Sequence, residues 1–153
     1  MRRSVLYLAI SILLILILFI SFVAFGDSTD FGSLCEQLLT KRSEAWNKIL
    51  EEDYDYNAFY YDMSSIVLGK LLEEDLETFA YLKEYPTDME RVISLDFQNN
   101  KIEKYGSNVL LEGKIKWDLE GQEGIEVIEG FYRIEMQKQS DSWYLTYFQS
   151  IEH

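Results

Sequence analysis

Carboxylates and tyrosines are the side chains that could do chemistry in this chain, because its only histidine is His153 at the end. A terminal residue is seldom held rigidly enough for catalysis, so mechanisms and metal sites that need histidine are not expected. Residues 53–57, DYDYN, begin like a calcium loop with oxygen ligands at alternate positions. That loop requires glycine and glutamate where Ala58 and Ser64 stand. We interpret the segment as a solvated acidic connector and predict no catalytic residue, no metal site and no cofactor.

An apolar run without a charged side chain occupies residues 4–25. As a helix it would reach about 33 Å, at about 1.5 Å per residue, which is enough to cross the hydrocarbon core of a membrane. Arg2 and Arg3 precede the run, so the positive-inside rule predicts a cytoplasmic N-terminus. Cleavage near Gly26, which would give a secreted protein, is the alternative to an uncleaved anchor. The predicted organisation is a cytoplasmic N-terminus (1–3), a transmembrane signal anchor (4–25), a linker (26–32) and an extracytoplasmic domain (33–153).

The chain beyond this run is strongly acidic. All 27 acidic residues follow the run, and the formal net charge of the chain is −13. Nucleic-acid binding rests on cationic contacts with phosphates, so we expect no nucleic-acid partner. An acidic surface keeps a domain soluble or attracts a basic partner. The single cysteine, Cys35, excludes an internal disulfide and leaves open a core position or an intermolecular disulfide.

Helical periodicity marks the first half of the domain and strand periodicity the second. Apolar spacing predicts one helix over about 33–52 and a second helical stretch over about 64–84, which Gly69 is placed to divide. Residues 53–61 between them form a connector or a short helix. Strands are predicted over about 89–98, 101–120, 123–138 and 142–152.

Turn residues set the predicted register of the sheet. Two-residue turns are predicted at 99–100, where asparagine tolerates positive φ, at 121–122 and at 139–140. Alternating burial then favours one register, because a slip of one residue would turn the apolar set to water. The predicted pairs are Ile115–Ile128, Leu111–Tyr132, Gly113–Gly130 and Lys114–Glu129 across the second turn, and Ile134–Leu145, Tyr132–Tyr147 and Phe131–Phe148 across the third.

The order of these elements resembles the NTF2-like (cystatin-like roll) superfamily. The resemblance covers about residues 33–152 and includes a last strand, Trp143–Ile151, that follows a polar turn and carries a tryptophan. It implies an α+β fold in which helices pack on a bent four-stranded antiparallel meander and enclose a cone. Some members bind or turn over small molecules in that cone. Others are scaffolds or dimers, including membrane-anchored components of secretion and conjugation machines.

The cone is the candidate ligand pocket. In the ketosteroid isomerases, which belong to the same superfamily, a tyrosine hydroxyl and a neutral carboxylic acid stabilise an enolate. The predicted register places Glu126 as the carboxylate on the inner face of the third strand, near Trp117. No motif residue is carried over from the isomerases, and packing of the tyrosines in the core is the alternative. The candidate pocket residues are Tyr132, Tyr147, Gly113, Gly130, Trp117 and Glu126.

The outer face of the sheet is the candidate interface. Contiguous exposed aromatic side chains usually mark an interaction site, and many NTF2-like domains dimerise through this face. Coverage by the N-terminal segment of the same chain is the alternative. The candidate interface residues are Phe131, Phe148, Tyr144 and Leu110.

These observations favour a membrane-anchored extracytoplasmic interaction or assembly module without enzymatic activity. Its expected partner is a second copy of the chain, or else a membrane or extracytoplasmic protein. The alternative function is small-molecule binding in the cone, and an isomerase-like enzyme is the third hypothesis.

Overall fold

The computed structural model describes residues 29–85 and 89–151. The chain divides into two units, Met1–Asp30 and Phe31–His153, and the described helices and strands belong to the second. The predicted anchor, 4–25, lies outside the described residues. Within those residues no helix is both long and apolar enough to span a membrane.

Helices precede the sheet, as predicted. Their bounds are α1 (Phe31–Asn47), a 3₁₀ turn (Lys48–Leu50), α2 (Tyr56–Ser64) and α3 (Lys70–Glu84). The acidic connector forms the start of α2, where the Asp55 carboxylate accepts a hydrogen bond from the Ala58 amide at 2.9 Å. The predicted division at Gly69 is confirmed: its φ of 64° is one that glycine adopts without steric penalty.

Four antiparallel strands follow in the order β1-β2-β3-β4. Their bounds are β1 (Arg91–Tyr105), β2 (Asn108–Gly121), β3 (Gly124–Gln139) and β4 (Ser142–Ser150). The predicted turn at 99–100 is wrong, because β1 continues through it with a register irregularity between Asn99 and Lys101. The chain instead turns at Gly106, whose φ is 62°. Residues 101–105 are exposed, so no alternation of buried side chains marks them in the sequence.

The predicted register of the second hairpin is wrong by two residues. Gly121 pairs with Gly124, so the turn is 122–123, and Gly124 takes the positive φ of 119°. Because a slip of two residues preserves the faces of a strand, the predicted inner and outer faces of β2 and β3 are correct. The observed pairs that replace the predicted ones are Ile115–Gly130, Leu111–Ile134, Gly113–Tyr132 and Lys114–Phe131. The predicted ion pair of Lys114 and Glu129 nevertheless forms, on the diagonal.

The hydrophobic core lies between the helices and the inner face of the sheet. Two phenylalanines, Phe59 of α2 and Phe79 of α3, stack with ring centroids 4.3 Å apart. All four strands contribute buried residues, namely Phe97, Val109, Leu111, Ile115, Ile134, Met136 and Leu145. Burying these side chains supplies most of the driving force for folding.

Polar contacts from the helical half cover parts of both sheet edges. At the β1 edge, Asn47 exchanges two hydrogen bonds with the backbone of Val92, at 2.7 and 2.9 Å, and the Phe97 amide donates to the Glu36 carboxylate at 2.9 Å. At the β4 edge, the Leu145 backbone bonds to the segment 66–68 that precedes α3. These contacts shield edge groups that would otherwise be open to pairing.

Candidate functional site

Three aromatic rings cluster on the inner face of the sheet. Tyr132 stacks on Phe148 with centroids 4.9 Å apart and meets Trp117 edge-on at 6.2 Å. All three rings are half-buried and pack against the core. The sequence predicted Trp117 and Tyr132 on this face, but it placed Phe148 on the other.

Tyr147 and Phe148 of β4 lie on the faces opposite to those predicted, and the cause is a change of register. Met136 pairs with Leu145, but the next residue of β3, Glu135, pairs with Tyr147. β4 therefore has one extra residue between Leu145 and Tyr147 at this register irregularity. The extra residue turns Tyr147 outward, opposite Glu135, and Phe148 inward. The predicted pairs Tyr132–Tyr147 and Phe131–Phe148 are therefore wrong, and Tyr147 does not line the cone. The predicted pair Ile134–Leu145 is wrong as well, because Gln139 pairs with Ser142 and the turn is 140–141 rather than 139–140.

An ion pair lies beside the aromatic cluster. Arg42 of α1 donates to the Asp75 carboxylate of α3 through Nε, at 2.9 Å, and through Nη2. Its guanidinium carbon is 5.1 Å from the centroid of the Phe148 ring. The side chains of Arg42 and Asp75 are 16% and 5% exposed. Since the bidentate geometry matches the planar guanidinium to the carboxylate, both buried charges are compensated.

Sequence reasoning missed this ion pair, although a signal was present. Arg42 interrupts the apolar stripe of α1 and Asp75 that of α3, between Leu71 and Phe79. Charged residues are rarely buried unless they are paired. A positive residue in the apolar stripe of one helix and a negative residue in that of another therefore indicate an ion pair between them.

The space inside the cone is mostly filled by the protein's own side chains. A Cβ at Gly113 would lie 2.7 Å from the Phe97 ring, and one at Gly130 would lie 3.0 Å from the Tyr132 ring. A cleft of about 220 Å³ remains between α1, β1 and β2, lined by Arg42, Trp46 and Trp117 among others. That volume is below the roughly 300–1,000 Å³ of typical small-molecule sites.

Glu126 is not the buried acid that an isomerase-like site would need. It lies on the inward-facing row, as predicted, but it pairs with Leu119 and is exposed near the tip of the β2–β3 hairpin. The buried acidic residue among those the structure describes is Asp75, which binds Arg42. Whether the candidate pocket residues bind a ligand stays a prediction.

Replacing Gly113 by alanine should destabilise the protein by about 1–3 kcal/mol. The new methyl group would lie 2.5 Å from the backbone oxygen of Gln98, which cannot move independently of the sheet. Gly130→Ala is the matched control, because its nearest neighbour is the movable end of the Tyr132 ring. Urea unfolding followed by circular dichroism measures both, and equal losses would contradict the close approach at Gly113.

One cluster of titratable side chains in the helical half, Lys48, Tyr54 and Asp62, is held by hydrogen bonds. Hydrogen bonds from Lys48, at 2.8 Å, and Tyr54, at 2.7 Å, lower the pKa of Asp62. Burial, followed by the bond to Asp62, raises the pKa of Tyr54. Cys35 is fully buried and takes the core position that the sequence left open, and burial raises the pKa of its thiol to about 12. Within residues 29–85 and 89–151, no cluster of acidic, histidine or cysteine side chains could hold a metal ion.

The outer face of the sheet presents a mixed aromatic and charged surface. Phe131 and Tyr147 are each 37% exposed, and Tyr144 and Leu110 are half-buried. Ion pairs of Lys114 with Glu129 and of Arg133 with Glu112 surround them. The candidate interface residues Phe131, Tyr144 and Leu110 thus share this face, and Tyr147 takes the place predicted for Phe148.

The tip of the β2–β3 hairpin carries a group of exposed apolar residues. Ile125, Val127 and Ile128 are 69%, 52% and 40% exposed. A wide surface cleft of about 810 Å³ runs from this tip to Leu50 and Met89. The predicted register placed Ile128 opposite Ile115 among the buried residues, whereas it lies opposite Trp117 and is exposed; Ile125 and Val127 were not singled out.

Comparison with known proteins identifies the fold rather than a function. No family model and no curated protein sequence matches the chain. Among solved structures, the intermembrane-space region of the chloroplast protein ARC6 superposes with a TM-score of 0.57 at 12% identity, covering 80% of this chain and 97% of that one. An NTF2-like protein of unknown function from Shewanella oneidensis MR-1 gives 0.45 at 23% identity, covering 74% and 93%.

A third solved structure has a cystatin-like fold and comes from Nostoc punctiforme PCC 73102. Its TM-score is 0.48 at 16% identity, covering 80% of this chain and 91% of that one, and its function is also unknown. The structure has the architecture that the resemblance implied, with helices followed by a four-stranded antiparallel meander. The α+β class, with helices packed on a four-stranded antiparallel sheet, is confirmed with it.

Proposed function

We propose that this protein is a membrane-anchored extracytoplasmic interaction module, without enzymatic activity, that self-associates through the outer face of its sheet. One observation carries the proposal: the inner side is occupied by the protein's own rings and a compensated ion pair, whereas Phe131 and Tyr147 stay exposed on the outer side. Exposed aromatic side chains of this kind are enriched at interfaces.

The proposed location rests on the N-terminal sequence. The apolar run 4–25 is long enough to span a bilayer, and Arg2 and Arg3 favour a cytoplasmic N-terminus. The ARC6 region that shares the fold also lies in an intermembrane space.

The alternative function, small-molecule binding, is supported by the cleft beside Trp46 and Trp117. Its volume of about 220 Å³ would admit only a small ligand. Arg42 lines this cleft, but its guanidinium is already paired with the Asp75 carboxylate. The positive charge of Arg42 is therefore largely compensated and would contribute little to binding an anion.

Light scattering of the full-length chain in nonionic detergent tests self-association. We expect a protein mass that rises from monomer to dimer with concentration, and a folded monomer for Phe131→Asp, because a carboxylate buried at the centre of the interface would be desolvated without a partner. Tyr61→Asp, at a 78% exposed position on α2, is the control and should dimerise normally. A monomer at every concentration would reject self-association and favour the small-molecule alternative.

A further inference from the structure

The first half of β3 extends beyond the strand that flanks its second half. Described β4 residues pair with β3 from Gln139 back to Tyr132, and the Ile151 amide donates to the Phe131 carbonyl at 2.7 Å. From Gly124 to Gly130, the described part of the chain pairs β3 with β2 alone. One edge of this segment is therefore open in the described structure.

Strand geometry shows which backbone groups lie along this open edge. In an antiparallel pair, successive residues direct their N–H and C=O groups to alternate sides of the strand. The bond from Ile151 to Phe131 places odd-numbered residues on the β4 side, and the closing pair Gly121–Gly124 places even-numbered ones toward β2. The amides and carbonyls of Ile125, Val127 and Glu129 hence point to the open edge.

The side chains of the segment suit an added strand. Ile125 and Val127 on the outer face and Ile128 on the inner face are exposed, and a neighbouring strand would cover them on both faces. Main-chain hydrogen bonds would supply affinity, and side-chain contacts would supply selectivity.

Charge determines which kind of strand would bind. The hairpin from 118 to 132 contains no lysine or arginine. Its carboxylates are Asp118, Glu120, Glu123, Glu126 and Glu129, and Glu129 is already paired with Lys114 of β2. A second copy of the hairpin would bring like charges together, which is unfavourable, whereas a basic strand would neutralise them.

We propose that the open edge of β3, from Gly124 to Gly130, binds an extended segment of a partner protein in which apolar and basic residues alternate. This inference rests on the proposed function as an interaction module and specifies the chemistry of its partner. It concerns the edge of β3 from Gly124 to Gly130, whereas the module self-associates through the outer face around Phe131 and Tyr147.

A synthetic peptide is a direct probe of this edge. A fluorescein-labelled Lys-Val-Lys-Val-Lys-Val-Lys peptide should bind the full-length chain in nonionic detergent, as measured by fluorescence anisotropy. The analogue with glutamate in place of lysine should bind at least about tenfold more weakly, because its charges repel the hairpin. Equal binding of the two peptides would overturn the proposed partner chemistry.

Methylated peptides separate strand addition from adsorption. Valine amides and lysine amides lie on opposite edges of an extended Lys-Val peptide, and an added strand bonds through one edge only. Methylating one of the two sets of amides should therefore abolish binding, while methylating the other leaves it intact. If both methylated peptides behave alike, the proposal is wrong.

Val127→Pro tests the protein side of the same contact. Proline removes an amide that points to the open edge and leaves the β2 ladder in place, which edge strands tolerate. We expect peptide binding to fall at least about tenfold, since a main-chain bond is lost and its partner is left unpaired, while Val127→Thr retains binding. Unchanged binding by a folded Val127→Pro variant would overturn the proposal, and the methylated peptides decide it if that variant does not fold.

The two proposals fail in different measurements. A chain that is monomeric by light scattering rejects self-association, yet the anisotropy experiment still reports on the β3 edge. If Val127→Pro abolishes self-association and leaves peptide binding unchanged, the occupant of the edge is a second copy, and the basic-partner proposal is wrong.

Discussion

Asp75→Ala should lower the free energy of unfolding by about 3–5 kcal/mol, a large part of the stability of a domain this size. The substitution removes the partner of Arg42, whose side chain is only 16% exposed and lies over the Phe148 ring. Water cannot readily replace the carboxylate there, so the guanidinium would remain charged, buried and unpaired. Urea unfolding of the full-length chain in nonionic detergent, followed by tryptophan fluorescence, measures the loss.

A double substitution separates the cost of an orphaned charge from the value of the pair. In Arg42→Met with Asp75→Leu, two apolar side chains replace the ion pair, so most of the stability should return. A loss below about 1 kcal/mol for Asp75→Ala alone would mean that the pair behaves like one on the surface. That result would contradict the burial of the Asp75 side chain against Arg42 of α1.

Phe79→Ala should be comparably destabilising, by about 3–5 kcal/mol. Phe79 is 1% exposed, stacks on Phe59 at 4.3 Å and meets Tyr54 edge-on at 6.1 Å. Truncation would leave a cavity between α2 and α3 that these rigid rings cannot collapse to fill. Equilibrium unfolding in urea measures the change.

Leu82→Ala is the matched control for this truncation. It lies one turn further along the same helix and is half-buried, so less apolar area returns to water and no closed cavity forms. Equal losses for Phe79→Ala and Leu82→Ala would indicate that helix α3 as a whole, rather than the aromatic stack, sets the stability.

The sequence was sufficient to predict the elements of the domain and the faces of its central strands. Every second residue of β2 and β3 faces the helices, and a shift of the pairing register by two residues leaves this alternation unchanged. The wrong turn at 121–122 therefore did not alter which side chains were predicted to face the helices. The turn at Gly106 was missed because residues 101–105 are exposed, which left Asn99 and Asn100 as the stronger local turn signal.

The site was harder to predict because it depends on a single extra residue. The register irregularity at Glu135 reverses the faces of Tyr147 and Phe148. Tyr147, predicted in the pocket, lies on the outer face, and Phe148, predicted in the interface, lies on the inner face. Nothing in the local alternation of β4 marks that position. The pair of Arg42 and Asp75 lies 33 residues apart in the chain, so only a comparison of the two helices' buried stripes would have revealed it.

The edge contacts of Asn47 and Glu36 bear on when the domain can fold during synthesis. Glu36 finds its strand partner 61 residues later and Asn47 finds its own 45 residues later, while the segment before α3 waits for Leu145 near the end. The helices that are made first can pack on one another, as Phe59 and Phe79 do, but these edge contacts cannot form until the sheet has emerged. The contacts that fasten the helical half to both sheet edges therefore form only after nearly the whole domain has been synthesised.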